Sequence, residues 1–522
     1  MEPALANLCQ CLDEFAGVSD AIREAEHVPG ASERITELLE RSETLRARLA
    51  KANAAAAGCN VPPGSRGAAI LATVRSCKSR IVAGDQARER IVSFRDTVNG
   101  AGTAFAMHVI ANLPPIAAWP SAARLRGAFQ GRPAVIVGAG PSLDKNIEVL
   151  HRFKGKAVII AVSHSLLALE RAGIVPDIAI AIDPADIMHH FAGASVDKLG
   201  ALLLATSFDP RGFDLPARRF LTVGANAGLD TWAYRGLEED IFIPTGGSVA
   251  NTAFSLLHLW GCNPIILVGQ DLSFPDGRYY ASTTCDGDAM FEVSPDGTKG
   301  RVTSRGEASQ KLYGPGTTHN VRRVPGYHGG EVVTDFGFHM AWKWFVDATK
   351  NLDGRVTLLN CTEGGARIEG MEHVKLEEAV TRYATTAFSV EQVLDKAVWG
   401  IDRAARKRLV LRRVKEMRTA VERCLAQGKK CKALAERAKR RPELLAQLGQ
   451  AEAKLTSALE SIEFVATAVQ REIRAALALG KDAGSSAKGL DASLRMYEVI
   501  TDVVLKTGPL LAVAELKLTS GL

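Results

Sequence analysis

The segment AVIVGAGPSLDKNIEVL, residues 134–150, runs from a short apolar stretch into Gly138-Ala139-Gly140-Pro141-Ser142-Leu143 and on into a helical pattern. Glycines let a backbone approach a ligand closely, Pro141 begins the turn, and Ser142 is placed to cap a helix whose exposed N–H groups favour an anion. One reading is a phosphate site at Gly138, Gly140, Pro141 and Ser142. The other is a plain tight strand-to-helix turn. No Gly-Lys-Ser/Thr follows, and Leu143 stands where the third glycine of a dinucleotide fingerprint belongs, so neither of those two phosphate motifs is present.

Other apolar runs end in polar residues in the same style. AVIIAV (157–162) is closed by Ser163-His164-Ser165, DIAIAID (177–183) by Asp183-Pro184, and PIILVGQD (264–271) ends in Gly269-Gln270-Asp271. In an open parallel sheet the carboxyl ends of the strands face the ligand crevice, which makes Ser163, Asp183, Gly269 and Asp271 candidates. Asp183 suits a ribose or base edge, or equally the capping of the turn after it. Thr245-Gly246-Gly247-Ser248 opens a second helix and adds Gly246, Gly247 and Ser248 as a second set of N–H groups for an anion. Asp286-Gly287-Asp288 has the DxD form used by some cation sites, and Asp183, Asp186, His189 and His190 form another acidic and imidazole group. A glycine-flanked DGD is more often a solvated loop, and no metal is assigned.

The elements that must carry these residues follow from a change of period. Up to about residue 112 apolar residues recur at helical intervals, as in Ile35, Leu38, Leu39, Leu45 and Leu49; LPPIAAWP at 113–120 then reads as a helix-breaking junction. From about 132, eight short apolar runs alternate with helical stretches: 134–138, 157–162, 177–183, 201–206, 219–224, 240–244, 264–271 and 355–361. Being apolar on both faces, they predict a mostly parallel sheet covered by helices on both sides, an α/β class. A Gly-, Ser-, Thr- and Asp-rich insertion at 272–334 reads as a lid, a binding loop or disorder. From about 376 helix persists to the end. Val410, Val414, Met417, Val421 and Cys424, and again Leu455, Leu459, Ile462, Ala466, Val469 and Ile473, step by three and four, as in packed helices. GKDAGSSAKG at 480–489 reads as a flexible break. The expected organisation is a helical region at 1–120, a central α/β domain at 121–375 and a helical bundle at 376–522.

Charge is uneven along the 522 residues. Net charge is +6, yet residues 401–450 hold 16 Lys and Arg against 5 Asp and Glu, a local +11 on a body of −5. Those 50 residues contain no aromatic residue, which argues against a nucleic-acid surface. A solvated helical face or a protein-docking surface remains. With 47% apolar residues the chain is no disordered polymer. The nine cysteines show no CxxC pair, no basic signal segment opens the sequence, and no apolar run is long enough to span a membrane; the expectation is a reduced, cytoplasmic protein.

Four ordered segments carry a resemblance: GAGPSLDKNI, GIVPDIAIAIDP, TGGSVANTAFSLLHLWGCNPIILVGQDLSF and LLNCTEGGARIEG. Together, over about 130–375, they resemble the motility-associated factor (Maf) family of flagellin glycosyltransferases. The resemblance implies transfer of a nonulosonic acid, a nine-carbon sialic-acid-like sugar of the pseudaminic or legionaminic type, from its CMP-activated form to Ser or Thr of flagellin, with inversion. It implies flagellin, with or without its chaperone, as partner, and places Glu363 and Gly364 of the last segment with the nucleotide.

More distantly, the central segments resemble bacterial sialyltransferases with a GNGPSL loop, Ala139 replacing the asparagine. That resemblance implies that Ser163 and Asp183 hold the nucleotide, that Tyr280 donates to the departing phosphate, and that His328 is the catalytic base, with His319 and His339 as competitors. A histidine near neutral pKa suits proton removal from a hydroxyl acceptor, and a tyrosine O–H suits a developing phosphate charge. A CMP-sugar has one phosphate and can depart without a cation, so no cofactor is required. The alternatives are a 6-hydroxymethylpterin pyrophosphokinase, since a related family shares the GxGPSL core, and a nucleotide-binding flagellar assembly factor without turnover.

Overall fold

A computed structural model describes residues 2–25, 37–38, 41–42, 44–45, 48, 105–224, 232–237, 243, 247–306, 318–352, 354–460, 462 and 486–520. The chain divides into two compact units, Met1–Gly100 and Ala101–Leu522. In the first, the helix Glu2–Ala25 buries Phe15, Val18 and Ile22 with Leu45. Ile35, Leu39 and Leu49 lie outside the described residues.

The second unit is built on one eight-stranded sheet. Its strands are β1 (Ala134–Val137), β2 (Val158–Val162), β3 (Ile178–Ala181), β4 (Ala201–Ala205), β5 (Phe220–Val223), β6 (Ile265–Val268), β7 (Leu358–Asn360) and β8 (Glu372–His373). The order is β8-β7-β6-β1-β2-β3-β4-β5 and every pairing is parallel. β1 to β7 are buried on both faces, as their continuous apolar runs require. The expected class, a mostly parallel sheet among helices with a helical C-terminal region, is therefore what the chain forms. Of the run 240–244, only Ile243 is among the described residues.

The order places a topological switch between β1 and β6. From β1 the chain adds β2 to β5 on one side, then returns to lay β6 on the other. Crevices for ligands form at such switch points, outside the carboxyl ends of the strands.

Three expectations are corrected. LPPIAAWP does not break helix at its start: Leu113–Ala118 is helical with its prolines in the first turn, where a missing N–H costs nothing. The 272–334 insertion is not simply loop. It forms antiparallel strands at Met290–Val293, Lys299–Thr303 and Thr318–Asn320, then a hairpin of Arg322–Pro325 with Glu331–Thr334. Phe274, Tyr279, Ala289 and Phe291 give this insertion a small core of its own, with Phe274 stacked on Phe291 at 3.9 Å between ring centres. In the break at 480–489, helix has already begun at Ser486, and 480–485 lie outside the described residues.

The long helices Arg403–Ala438, Leu445–Glu460 and Ser486–Thr519 pack together. The expected stripe of Val410, Val414, Met417, Val421 and Cys424 is buried there, extended by Cys431, Leu434 and Ala435. Leu455 and Ile462 join them, whereas Ala466, Val469 and Ile473 lie outside the described residues. Most Lys and Arg of the basic window 401–450 are exposed, but a few serve this packing. Arg406 is buried and donates to the carbonyls of Ile116 (3.0 Å), Trp119 (3.1 Å), Ala117 (3.2 Å) and Leu237 (3.3 Å), which satisfies the end of the Leu113–Ala118 helix. Arg413 donates to Trp232 O and Ala233 O, Arg418 pairs with Glu515, and Lys432 with Glu498. No described helix is long and apolar enough to cross a membrane. The described cysteines, Cys11, Cys262, Cys285, Cys361, Cys424 and Cys431, are free thiols.

Candidate functional site

At the switch point lies a cleft of about 420 Å³. Strand ends supply its walls: Ala139 and Gly140 after β1, Ser163 and His164 after β2, Asp183 after β3, and Gly269, Gln270 and Asp271 after β6. Ser248, Val249 and Ala250 contribute the start of a helix, and Tyr279, Tyr280 and Phe338 contribute aromatic faces.

The Gly138–Leu143 loop does not form the expected phosphate cradle. Four of its amides are already spent: Gly138 N–H donates to Val268 O, Gly140 N–H to Gly269 O, Leu143 N–H to Gly140 O, and Ser142 N–H to Asp271 Oδ2 at 3.1 Å. Ser142 does not cap the helix behind it either; its hydroxyl donates to Asp271 Oδ1 at 2.6 Å. That helix, Leu143–Asn146, is a single turn. The glycines have a packing reason. A Cβ at Gly138 would collide with Gln270 Nε2 and Gly269 O, and one at Gly140 with Asp271 Oδ2. The loop is a close splice between the ends of β1 and β6, and only Gly140 of its four expected residues lines the cleft. Burial pushes the Asp271 carboxyl up to about 6, against the pull of the two Ser142 hydrogen bonds.

The second helix start is capped by its own serine. Ser248 Oγ caps the eleven-residue helix Val249–Leu259 by accepting from Asn251 N–H at 3.2 Å, and Gly247 takes a positive φ of 82° to lead into it. The first turn lies on the cleft. Thr245 and Gly246 lie outside the described residues.

Asp183 closes the turn after β3, its Oδ1 accepting from Ala185 N–H at 2.9 Å, and it also lines the cleft. Ser163 is buried with Oγ 3.1 Å from His190 Nδ1. Tyr280 lies with its ring 3.8 Å from that of His164 and 4.7 Å from that of Tyr279.

Besides Gly138, Pro141 and Ser142, the expected residues Gly247, Glu363, Gly364 and His328 do not line the cleft. Glu363 adopts φ 60° and spends its carboxylate on Asn146 Nδ2 and Leu376 N–H, both at 3.0 Å, tying the turn after β1 to the helix Leu376–Tyr383. Gly364 lets the chain pass against Ser142 Oγ. His328 is exposed on the hairpin turn between Pro325 and Glu331, its Nε2 3.3 Å from Glu363 O. Its competitors do not line the cleft either. His319 pairs with Asp335 at 3.4 Å, which raises its pKa, and the His339 ring lies tilted against that of Trp342.

The two cation patterns of the sequence dissolve, and a different cluster takes residues from each. Asp288 accepts from Ser304 Oγ and Arg305 N–H, and Asp186 pairs with Arg211 at 2.8 Å. Asp286, almost fully buried, instead meets three histidines: its Oδ2 is 3.0 Å from His164 Nε2, 3.3 Å from His189 Nε2 and 3.9 Å from His190 Nε2. Cys285 Sγ is 3.7 Å from the same oxygen. Burial pushes His190 down to about 2, with repulsion from His164 and His189 adding to it; burial also lowers His164, against the pull of Asp286. His164, Gln270, Tyr279, Phe338 and Cys285 were not named as site residues from the sequence; for His164 and Gln270 the available signal was their place at strand ends that carry other candidates.

Fold and site together define a parallel α/β domain with its ligand cleft at the switch point of the sheet. A family model described as "6-hydroxymethylpterin diphosphokinase MptE-like" matches residues 107–277. Among solved structures, that of a Maf glycosyltransferase from Magnetospirillum magneticum AMB-1 is similar, with 14% identity and a TM-score of 0.43, covering 84% of this chain. The Maf family named from the sequence motifs is the one named in this match. The match takes in 63% of that solved chain's length. No curated protein matches.

Proposed function

We propose that the chain is a glycosyltransferase that moves a nonulosonic acid from its CMP-activated form to Ser or Thr of flagellin, with inversion. The observation that carries this reading is the cleft between β1, β6 and their neighbours, where Ser163, Asp183, Ser248 and Tyr280 share one space. A CMP unit needs hydrogen-bonding partners for ribose and base and an anion site for one phosphate. Asp183 and Ser163 suit the first, and the capped start of Val249–Leu259 suits the second. Tyr280 donates its O–H to the phosphate as charge develops on the leaving CMP, a contribution of about 10²–10³ in rate for one well-placed donor. A single phosphate leaves in this reading with no catalytic cation. Flagellin, free or held by its chaperone, is the acceptor partner, and the cytoplasm is the compartment. Incubating the protein with CMP-pseudaminate or CMP-legionaminate and flagellin should release CMP; an absence of release with every such donor contradicts the reading.

The family-model match over 107–277 favours a second reading, a 6-hydroxymethylpterin diphosphokinase. The faces of Tyr279, Tyr280 and Phe338 in the cleft suit a flat pterin as well as a cytosine. Metal-dependent AMP release from ATP in the presence of the hydroxymethylpterin distinguishes it from CMP release. Nucleotide binding without either turnover would instead mark an assembly factor.

A further inference from the structure

We infer that His164, His190, Cys285 and Asp286 form a zinc site that pins the segment after Tyr280 against the ends of β2 and β3. One donor atom from each residue lies within 4.8 Å of all the others, and this is the one group of three or more such donors brought together among the described residues. A tetrahedral zinc with bonds of about 2.0–2.3 Å sets its ligands roughly 3.3–3.6 Å apart. The distances from Asp286 Oδ2 to His164 Nε2, Cys285 Sγ and His190 Nε2, 3.0, 3.7 and 3.9 Å, bracket that spacing.

Burial supplies the second argument. His164 and His190 are 8% and 6% exposed; His190 Nε2 has no hydrogen-bond partner, and His164 Nε2 has only the Asp286 carboxylate, at 3.0 Å. An orphaned buried polar atom costs about 1–3 kcal/mol, so His190 Nε2, 3.9 Å from the carboxylate that His164 already meets, calls for a partner that all of them can share. A cation supplies it. The Ser163 hydroxyl at 3.1 Å from His190 Nδ1 holds that ring from behind, the arrangement outer-shell partners give to ligating histidines. His189 Nε2, 3.3 Å from Asp286 Oδ2, is a further neighbour of the carboxylate.

The donor set selects the metal. Two imidazoles, a thiol and a carboxylate suit zinc and disfavour magnesium or calcium, which take oxygen ligands. Four protein ligands close the coordination sphere, so the ion is structural and adds no Lewis acid to the cleft. Its effect reaches the cleft through geometry: Tyr280 rests on His164, and both line it. The site stands independently of which nucleotide the cleft takes.

The test uses the full untagged chain purified without chelator. Elemental analysis should find about one zinc per chain, and cobalt added to the chelator-stripped protein should give a tetrahedral d–d spectrum with a thiolate-to-cobalt band. In Cys285→Ser the thiolate band should vanish and zinc affinity should fall by at least about 100-fold, more than the loss of an outer-shell partner causes. His190→Ala should lose zinc likewise, and the wild-type cobalt spectrum decides the matter if that variant does not fold. Less than about 0.1 zinc per chain together with no cobalt spectrum, or a thiolate band that survives in Cys285→Ser, overturns the site.

Discussion

Ser142 holds Asp271 with two hydrogen bonds at once, its hydroxyl on Oδ1 at 2.6 Å and its amide on Oδ2 at 3.1 Å. The pair joins the turn after β1 to the end of β6, the two strands that flank the switch point. The Gly-Pro-Ser loop is therefore a structural splice, and in the proposed function the phosphate is assigned to the helix start at Ser248 instead.

Breaking the splice should cost stability. Asp271→Ala leaves a buried amide and hydroxyl without acceptors and should destabilise by about 2–4 kcal/mol, whereas Ser142→Ala, which keeps the amide bond, should cost about 1–2 kcal/mol. Urea unfolding measures both. Equal and negligible effects would show that the pair does not hold the two strand ends.

The same carboxyl gives a pH signature. Its pKa is about 6 in the folded protein against 3.8 for the ordinary group. Because the folded state takes up this proton first, the contribution is fully stabilising below the ordinary value and is lost as pH rises through about 6. The stability of the wild type relative to Asp271→Asn should therefore rise as pH falls from about 7 to about 4. A relative stability that falls over that window contradicts the assignment.

Gly140→Ala separates packing from ligand contact. The new methyl meets Asp271 Oδ2, so a loss of about 1–3 kcal/mol in stability is expected even without any nucleotide present. If the variant unfolds like the wild type and only nucleotide affinity drops, the loop is a binding loop after all.

In the helical half, Arg406 and its neighbours should behave differently despite equal charge. Arg406→Ala removes the donor to three carbonyls at the end of the Leu113–Ala118 helix and to Leu237 O and should cost about 3 kcal/mol or more, while exposed Arg412→Ala should stay within about 0.5 kcal/mol. Thermal unfolding of the two variants tests this. Comparable effects would mean that the window acts as a field of charge rather than through one buried guanidinium.

What the sequence disclosed followed from how each feature is encoded. β1 to β7 were legible because buried parallel strands are apolar on both faces, and Ser163, Asp183 and Asp271 because polar residues at such strand ends share one edge of the sheet. The insertion was not legible as strands. Met290–Val293 buries one residue in four, so its alternation is lost among charged and small residues. Arg406 was hidden in a run of like charges, since burial of one guanidinium depends on carbonyls nearly 290 residues away. The histidine cluster was missed as a unit because 164, 190 and 285–286 meet only through tertiary structure.

Nucleotide affinity should sort the residues the motifs proposed. Asp183→Ala and Ser163→Ala, both on the cleft, should weaken CMP binding by about 10-fold or more, as loss of a polar contact to a buried ligand does. His328→Ala, off the cleft, should change it less than about threefold and leave transfer comparably intact. Calorimetric titration with CMP and a transfer assay read the two quantities. Equal affinity in all three variants would mean that the nucleotide sits elsewhere.

The most direct test of the central claim is the intact mass of flagellin after incubation with the protein and CMP-pseudaminate or CMP-legionaminate. Addition of whole nonulosonate residues on Ser or Thr is predicted with the wild type, slowed about 10²–10³-fold in Tyr280→Phe. Unmodified flagellin with every donor, or undiminished transfer by Tyr280→Phe, would contradict a glycosyltransferase working through this cleft.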